Sequence, residues 1–176
     1  MIMQKLYHTD RLMLASLDPP AAPLVLDYLL RNREDFEQFE PPKEDSFYTV
    51  ARQEAVLQAE QTLFERGQGL RYYIFNISDP DTIIGNVSFS HTDQAVCILG
   101  YRMDRDYRRL GLAYEAASYL IPLIFEHYGP SMIEADIYPE NKASTALALK
   151  LGLKPSGTTT FMKRVLHRYV AFPTDT

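Results

Sequence analysis

The amino-acid sequence predicts an α+β fold in which a mixed, mostly antiparallel sheet packs against helices. Two observations carry this expectation. Between Leu70 and Met103 three strand-like segments follow one another across short polar turns, the pattern of an antiparallel meander. After Met103 come a charged loop, a long helical stretch and the alternating segment Met132 to Tyr138, and a helix between two strands calls for a parallel crossover.

In chain order, Leu12 to Leu17 reads as an edge strand, and Asp18 ahead of Pro19-Pro20 reads as a helix cap, because proline in a first turn forfeits no hydrogen bond. Leu24, Val25, Tyr28, Leu29 and Leu30 have the spacing of an amphipathic helix. Asn32 to Phe47 is expected to be an irregular loop anchored by Phe36, Phe39 and Phe47, with a second reading as the wall of a substrate pocket. Thr49 is placed to cap a helix that turns Val56, Ala59, Leu63 and Phe64 inward and ends at Gly67.

Leu70 to Ile77 and Ile83 to Ser90 form a predicted hairpin across the turn Ser78 to Asp81, and His91 to Gln94 leads into a third strand, Ala95 to Met103. A helix then runs from Gly111 to about Tyr128 with Tyr119, Leu120, Leu123 and Ile124 on one face. Pro122 is expected to kink or break it. In Met132 to Tyr138, Ile133, Ala135 and Ile137 share one face, and Glu134, Asp136 and Tyr138 the other. Asn141 to Leu151 reads as a short helix closed by Gly152, and Thr158 to Phe172 as two strands joined near His167.

The 176 residues, 46% of them hydrophobic, suffice for a sizeable core, and 1-176 is read as one domain. A net charge of -5, with no basic run longer than Arg108-Arg109, argues against direct nucleic-acid or membrane binding. It is compatible with a cationic substrate such as an amine. The single cysteine, Cys97, excludes an internal disulfide and a cysteine metal cluster. His8, His91, His127 and His167 have no metal-ligand spacing, so no metal is expected. Met1 to Asp10 lacks the layout of a signal peptide, and a cytoplasmic location is expected.

The stretch Ile98 to Ala113 carries the strongest chemical signal. A strand ends in the charged segment Asp104 to Arg109, and Gly111 opens a helix. The first N–H groups of a helix lack intrahelical partners and point outward with the positive end of its dipole, which suits a phosphate. A glycine at that point removes the side chain that would hold an anion away.

The segment G-Y-R-M-D-R-D-Y-R-R-L-G-L-A-Y-E-A resembles the central motif of the GCN5-related N-acetyltransferases (GNAT), whose diphosphate loop has the form Gln or Arg, x, x, Gly, x, Gly or Ala. I-E-A-D-I-Y-P-E-N-K-A-S followed by K-L-G-L is similar to the next strand and helix of that family. T-D-R-L at Thr9 to Leu12, the stretch N-R-E-D-F-E-Q-F-E-P-P-K-E-D-S-F-Y, G-N-V-S-F-S, and Asn141 with Ser144 match the ribosomal-protein alanine N-acetyltransferase (RimJ/RimL-like) branch. The resemblance implies the GNAT fold, an α/β sandwich with about six to seven strands and helices on both faces. The final strand pair lacks the Gly and Trp associated with this branch and reads as shorter, in a region that borders the family's acceptor groove. Leu149 and Leu153 replace the usual Glu and Phe, and Arg109 and Leu112 stand where small residues or Lys are frequent.

What the resemblance implies about chemistry is specific. Acetyl-CoA is the co-substrate, with the N–H groups of Arg109, Leu110, Gly111, Leu112 and Ala113 around its diphosphate and Arg108 a further cofactor-binding residue. Leu99, Tyr101 and Met103 pair with its pantetheine arm as a further strand would, and Asn141 and Ser144 lie beside its thiol end. Ser144 is the candidate acid for the leaving thiolate, although a serine in a first helical turn is often only a cap. Asp136 and Glu134 share a strand face, and either can accept the proton of an incoming ammonium or stand as a solvated carboxylate. Tyr138 is a weaker acid candidate, and Tyr101 and Glu115 read as structural. The expected acceptor is a peptide or protein N-terminus, a ribosomal protein among the candidates. A small amine such as a polyamine or aminoglycoside is the alternative, and a CoA-binding ribosome-associated protein without turnover is a third reading. Oligomeric state, including a homodimer, is left open.

Overall fold

The computed structural model describes residues 3–173. Eight strands form one sheet in the order β1-β2-β3-β4-β5-β6-β8-β7. They are β1 (Leu6–His8), β2 (Leu12–Ala15), β3 (Gly69–Asn76), β4 (Asp79–Ser90), β5 (Val96–Met103), β6 (Met132–Ile137), β7 (Lys154–Phe161) and β8 (Arg164–Ala171). The helices are α1 (Ala22–Arg31), α2 (Arg33–Glu37), α3 (Val50–Glu65), α4 (Leu112–Tyr128) and α5 (Lys142–Lys150). Every pairing is antiparallel except β5 with β6, the parallel crossover that the intervening helix α4 requires.

The sheet is covered on both faces, and β3 shows why. Its residues are nearly all buried, and alternate side chains enter different cores. Tyr72 and Ile74 join the cluster under α4 and α5, which includes Leu120, Ile124 and Ala148. Tyr73 and Phe75 join the cluster with Val25, Tyr28 and Leu57 of α1 and α3. Each fully buried aliphatic side chain contributes about 1.5–3 kcal/mol, so the two cores clamp β3 and β4 from both sides.

Several local expectations are corrected. Leu6–His8 pairs with β2, so Leu12 to Ala15 is an inner strand and the sheet has one strand beyond the range expected. Asp18 makes no side-chain cap; its carboxylate pairs with Lys5 at 2.8 Å. The stretch Asn32 to Phe47 contains α2 and a helical turn at Asp45–Phe47. The turn between β3 and β4 is Ile77-Ser78, tied by the Asn76 side chain, which accepts from Ser78 N–H at 3.0 Å.

Helix α3 is capped by Thr49 as expected, but its inward stripe is Gln53, Leu57, Glu60 and Phe64, while Ala59 and Leu63 face out. The stripe includes polar residues because each finds a partner, Gln53 donating to the Phe47 carbonyl at 2.6 Å and Glu60 pairing with Arg71 at 2.6 Å. Helix α4 runs unbroken through Pro122, which lies on the exposed face, so its ring meets no packed neighbour element there. Tyr119 on α4 is exposed and packs edge-on against Tyr7. The last hairpin turns at Met162-Lys163, both with positive φ, and His167 sits mid-strand opposite Thr158. Those two residues adopt the turn without the Asn or Gly that normally signals it.

Candidate active site

The site forms where β5 and β6 part. Their pairing covers only Val96 to Ile98 against Met132 to Glu134; beyond that, β6 pairs with β8 through Ile137, and β5 keeps only β4. Asp104 N–H donates to the Ile84 carbonyl on β4. Strand alternation therefore turns the N–H and C=O groups of Met103, Tyr101 and Leu99 toward the gap, because neighbouring residues address opposite edges. A free strand edge of this kind receives an amide-bearing chain as a further strand. Gly85 lets β4 and β5 close tightly beside it, since a Cβ there would stand 2.5 Å from Met103 Sδ and 2.7 Å from the Arg102 carbonyl.

A cavity of about 340 Å³ occupies the gap. Leu99, Tyr101, Ala135 and Ile137 line it from the α4 side of the sheet, and Arg71, Asn86, Arg102 and Asp136 from the α1 side. The space thus passes through the sheet. Asn141 and Ser144 at the start of α5 close one end, Phe39, Glu40 and Pro41 another, and Phe161 and Leu166 of the last hairpin a third. Phe39 to Pro41 belong to the segment expected to wall a pocket.

Ser144 sits in a small relay. Its N–H donates to the Asn141 side chain at 3.1 Å, the cap of α5, and its Oγ donates to Tyr101 Oη at 3.0 Å. Tyr101 in turn donates to the Ser144 carbonyl at 2.9 Å. Burial, eased by the serine hydrogen bond, pushes the Tyr101 phenol up to about 12, so it is protonated near neutrality and remains a donor. Asp136 and Glu134 are drawn together by Arg168, which forks onto both Asp136 oxygens at 2.9 Å and reaches Glu134 at 3.0 Å. Only Asp136 of the two lines the cavity. Burial raises the Glu134 carboxyl, with Arg168 opposing and the Asp136 charge adding.

The loop ahead of α4 lies outside the cavity. Gly111 caps the helix at φ 77°, and Arg109 also has positive φ at 63°. The first N–H groups of α4, from Leu112 and Ala113 on, are the unpaired donors of a helix start, whereas the Glu115 N–H already bonds to the Gly111 carbonyl. Leu110 is exposed and the Leu112 side chain is buried, so only the backbone of Leu112 serves the loop. Arg108 is engaged elsewhere, donating to Asp35 of α2 at 2.9 Å. Buried Asp104 accepts from Arg31, from Asn32 at 2.9 Å and from its own loop at Asp106 N–H, 3.0 Å, which fixes where the loop leaves β5.

Sequence reasoning missed Arg11, Arg71, Arg102 and Arg168. Arg11 donates to the Leu110 carbonyl at 3.1 Å and to Glu115 at 2.7 Å, and its Nη2 is the nearest atom to a Cβ built on Gly111, at 3.6 Å. A signal existed for Arg71, a charge between the apolar neighbours of a buried strand. Among the described residues no group of three or more His, Cys, Asp or Glu side chains is placed to hold a metal ion, and no helix is long and apolar enough to cross a membrane.

A sheet that parts at a parallel pair, beside a helix start with free N–H groups, offers an edge for an amide-bearing chain and a place for a phosphate, as a transferase using such a co-substrate requires. Comparison with known proteins agrees. The family model for the acetyltransferase (GNAT) domain matches residues 11–154. A protein of Bacillus subtilis (strain 168) named probable N-acetyltransferase YjcK is 30% identical over 129 residues, covering 72% of this chain and 71% of its own. The [ribosomal protein uS5]-alanine N-acetyltransferase of Escherichia coli (strain K12) is 28% identical over 154 residues, 85% of this chain and 78% of its own. The crystal structure of ribosomal-protein-S5-alanine acetyltransferase from Vibrio fischeri superposes with a TM-score of 0.89 at 19% identity, covering 98% of both chains. The chain belongs to the GNAT acetyltransferase family and is an N-acetyltransferase of that type.

Proposed function

We propose that this enzyme transfers the acetyl group of acetyl-CoA to the N-terminal α-amino group of a peptide or protein by direct attack in a ternary complex. The observation that carries the reading is the cavity through the sheet. It runs from the free edge of β5 to the Phe39 to Pro41 wall and is lined from both faces of the sheet, so it has room for two reactants to meet. Acetyl-CoA supplies an acetyl group activated as a thioester. The residues present fit it: the Leu99, Tyr101 and Met103 edge suits its amide-bearing arm, and the N–H groups of Leu110 to Ala113, with Arg11 beside them, suit its diphosphate.

In this reading the gap-facing N–H groups of β5 hydrogen-bond the carbonyl oxygen as charge develops there. Asp136 takes the proton of the incoming ammonium, and Glu134, held by the same arginine, lies behind it. As nitrogen bonds to the carbonyl carbon and the carbon–sulfur bond breaks, the nitrogen gives its second proton to solvent, and Ser144 Oγ turns from Tyr101 Oη to give its proton to the sulfur and is reprotonated from solvent. The relatives at 28–30% identity that are named N-acetyltransferases support the transfer, and the ribosomal-protein one supports a protein acceptor. Thiol release is measured with acetyl-CoA and peptides bearing a free N-terminus, in parallel with spermidine and an aminoglycoside. Peptides are expected to give the higher kcat/KM; faster turnover of the small amines overturns the acceptor assignment. Ser144→Ala is expected to lower kcat by roughly 10²-fold, the low end for general acid catalysis.

A further inference from the structure

We infer that the acceptor carries a carboxylate beside its amine, bound by Arg71 at the floor of the site, and this rests on the acetyl-transfer reading above. Arg71 lines both the cavity through the sheet and a second one of about 250 Å³ between α1, α3 and the sheet, which also share Asn86 and Arg102. It lies deep in the fold, yet its side chain keeps 31% exposure, which these cavities provide. Glu60 holds Nη1 at 2.6 Å, and Nε is buried with no hydrogen-bond partner. A buried guanidinium used only for structure spends its donors on the protein, because an unpaired buried N–H is costly. Here Glu60 takes Nη1 and Tyr73 bears on the same side chain, and the part of the guanidinium that opens onto the cavities is left for an oxyanion.

The surroundings point the same way. Burial raises the Glu60 carboxyl, while Arg71, the Tyr73 hydrogen bond and Arg102 oppose the rise. Arg102 adds a second cation in the same wall, paired to Glu40 and lying over the Phe36 ring. Asn86 spends its amide N–H on Tyr28 Oη at 3.3 Å. Asp136, the carboxylate assigned to the amine, lines the same cavity. A guanidinium and a carboxylate in one cavity suit a zwitterion. The negative net charge of the chain favours cations at long range, and the Arg71 floor selects among amines once they arrive.

Two sources supply this chemistry: a free amino acid through its α-carboxylate, or a peptide with Asp or Glu next to its N-terminal residue. The test compares kcat/KM for Ala-Asp and Ala-Glu peptide amides with Ala-Asn and Ala-Gln, and for free alanine with alaninamide. One acidic arm is expected to exceed its neutral counterpart by about tenfold or more, the scale of one charge-assisted contact. Arg71→Gln is expected to bring that ratio to within about twofold, while Arg71→Lys retains part of it. Because the readout is a ratio, a general loss of rate does not imitate it. The double variant Glu60→Gln/Arg71→Gln leaves no unpaired buried charge and gives the same loss where the single variant does not fold. Equal rates for acidic and neutral acceptors, or a preference that survives removal of Arg71, overturn the inference while leaving acetyl transfer intact. No thiol release with any amine overturns both.

Discussion

Replacing Gly111 by glutamate and by alanine separates the backbone role of this residue from the place beside the acetyl-CoA diphosphate proposed for it. Gly111 has φ 77° and ψ 4°, and an L-residue held in that region costs about 1–2 kcal/mol. At roughly 2–4 °C per kcal/mol for a chain of this size, both variants are expected to melt about 2–8 °C lower. A Cβ at this position meets only Arg11 Nη2, at 3.6 Å, so alanine adds no steric penalty. Glutamate differs by its charge. A carboxylate about 4 Å from a diphosphate charge is opposed by about 4 kcal/mol at an effective dielectric near 20, and about 2 kcal/mol if the side chain swings twice as far away. These values correspond to roughly 30- to 1000-fold in Kd. Acetyl-CoA titrations by calorimetry, with melting curves on the same samples, are expected to show that loss for Gly111→Glu and less than about fivefold for Gly111→Ala. Equal acetyl-CoA affinity in the two variants would remove the diphosphate from this helix start.

Glu115 ties the β1–β2 turn to the first turn of α4, accepting from Thr9 Oγ1 at 2.6 Å, Arg11 N–H at 3.0 Å and Arg11 Nε at 2.7 Å. Burial acts to raise its carboxyl, but these donors outweigh it and hold it below the usual value. With its folded pKa lowered, its contribution is present above the unfolded value of about 4.3 and is lost as pH falls through the folded one. Glu115→Gln is expected to lose about 1–2 kcal/mol by urea unfolding at neutral pH, with the gap to the parent closing in acid; a gap constant with pH would show that its charge contributes nothing. Cys97 is buried, which pushes its thiol up to about 12. At about pH 8 it is expected to resist maleimide until urea unfolds the chain, as mass spectrometry reports, and labelling of the folded protein would contradict that burial.

The legible parts of the chain are those governed by local periodicity. The meander β3-β4-β5, the crossover through α4 and the glycine at its start follow from spacing and conformational preference within short windows. Of the site, Leu99, Tyr101, Asp136, Asn141 and Ser144 were expected and come together around one cavity. Misreadings arose where a polar residue sits inside or a turn lacks its usual residues. Gln53 and Glu60 face inward on α3 because Phe47 and Arg71 meet them, and the last hairpin turns on Met162-Lys163.

By itself the sequence determined the elements and the helix start that suits a phosphate, because each depends on residues close together in the chain. Only the tertiary structure decided how far β5 and β6 stay paired, which of Glu134 and Asp136 reaches the cavity, and that Arg168 holds both. It also decided that Arg108 serves Asp35, that Arg11 stands by the loop, and that Arg71 lines the cavity. Of these, the Arg168–Asp136, Arg108–Asp35 and Arg11–Leu110 contacts join residues 32 to 99 positions apart in the chain. A charge acquires its role from what it meets, and at such separations no local pattern encodes the meeting.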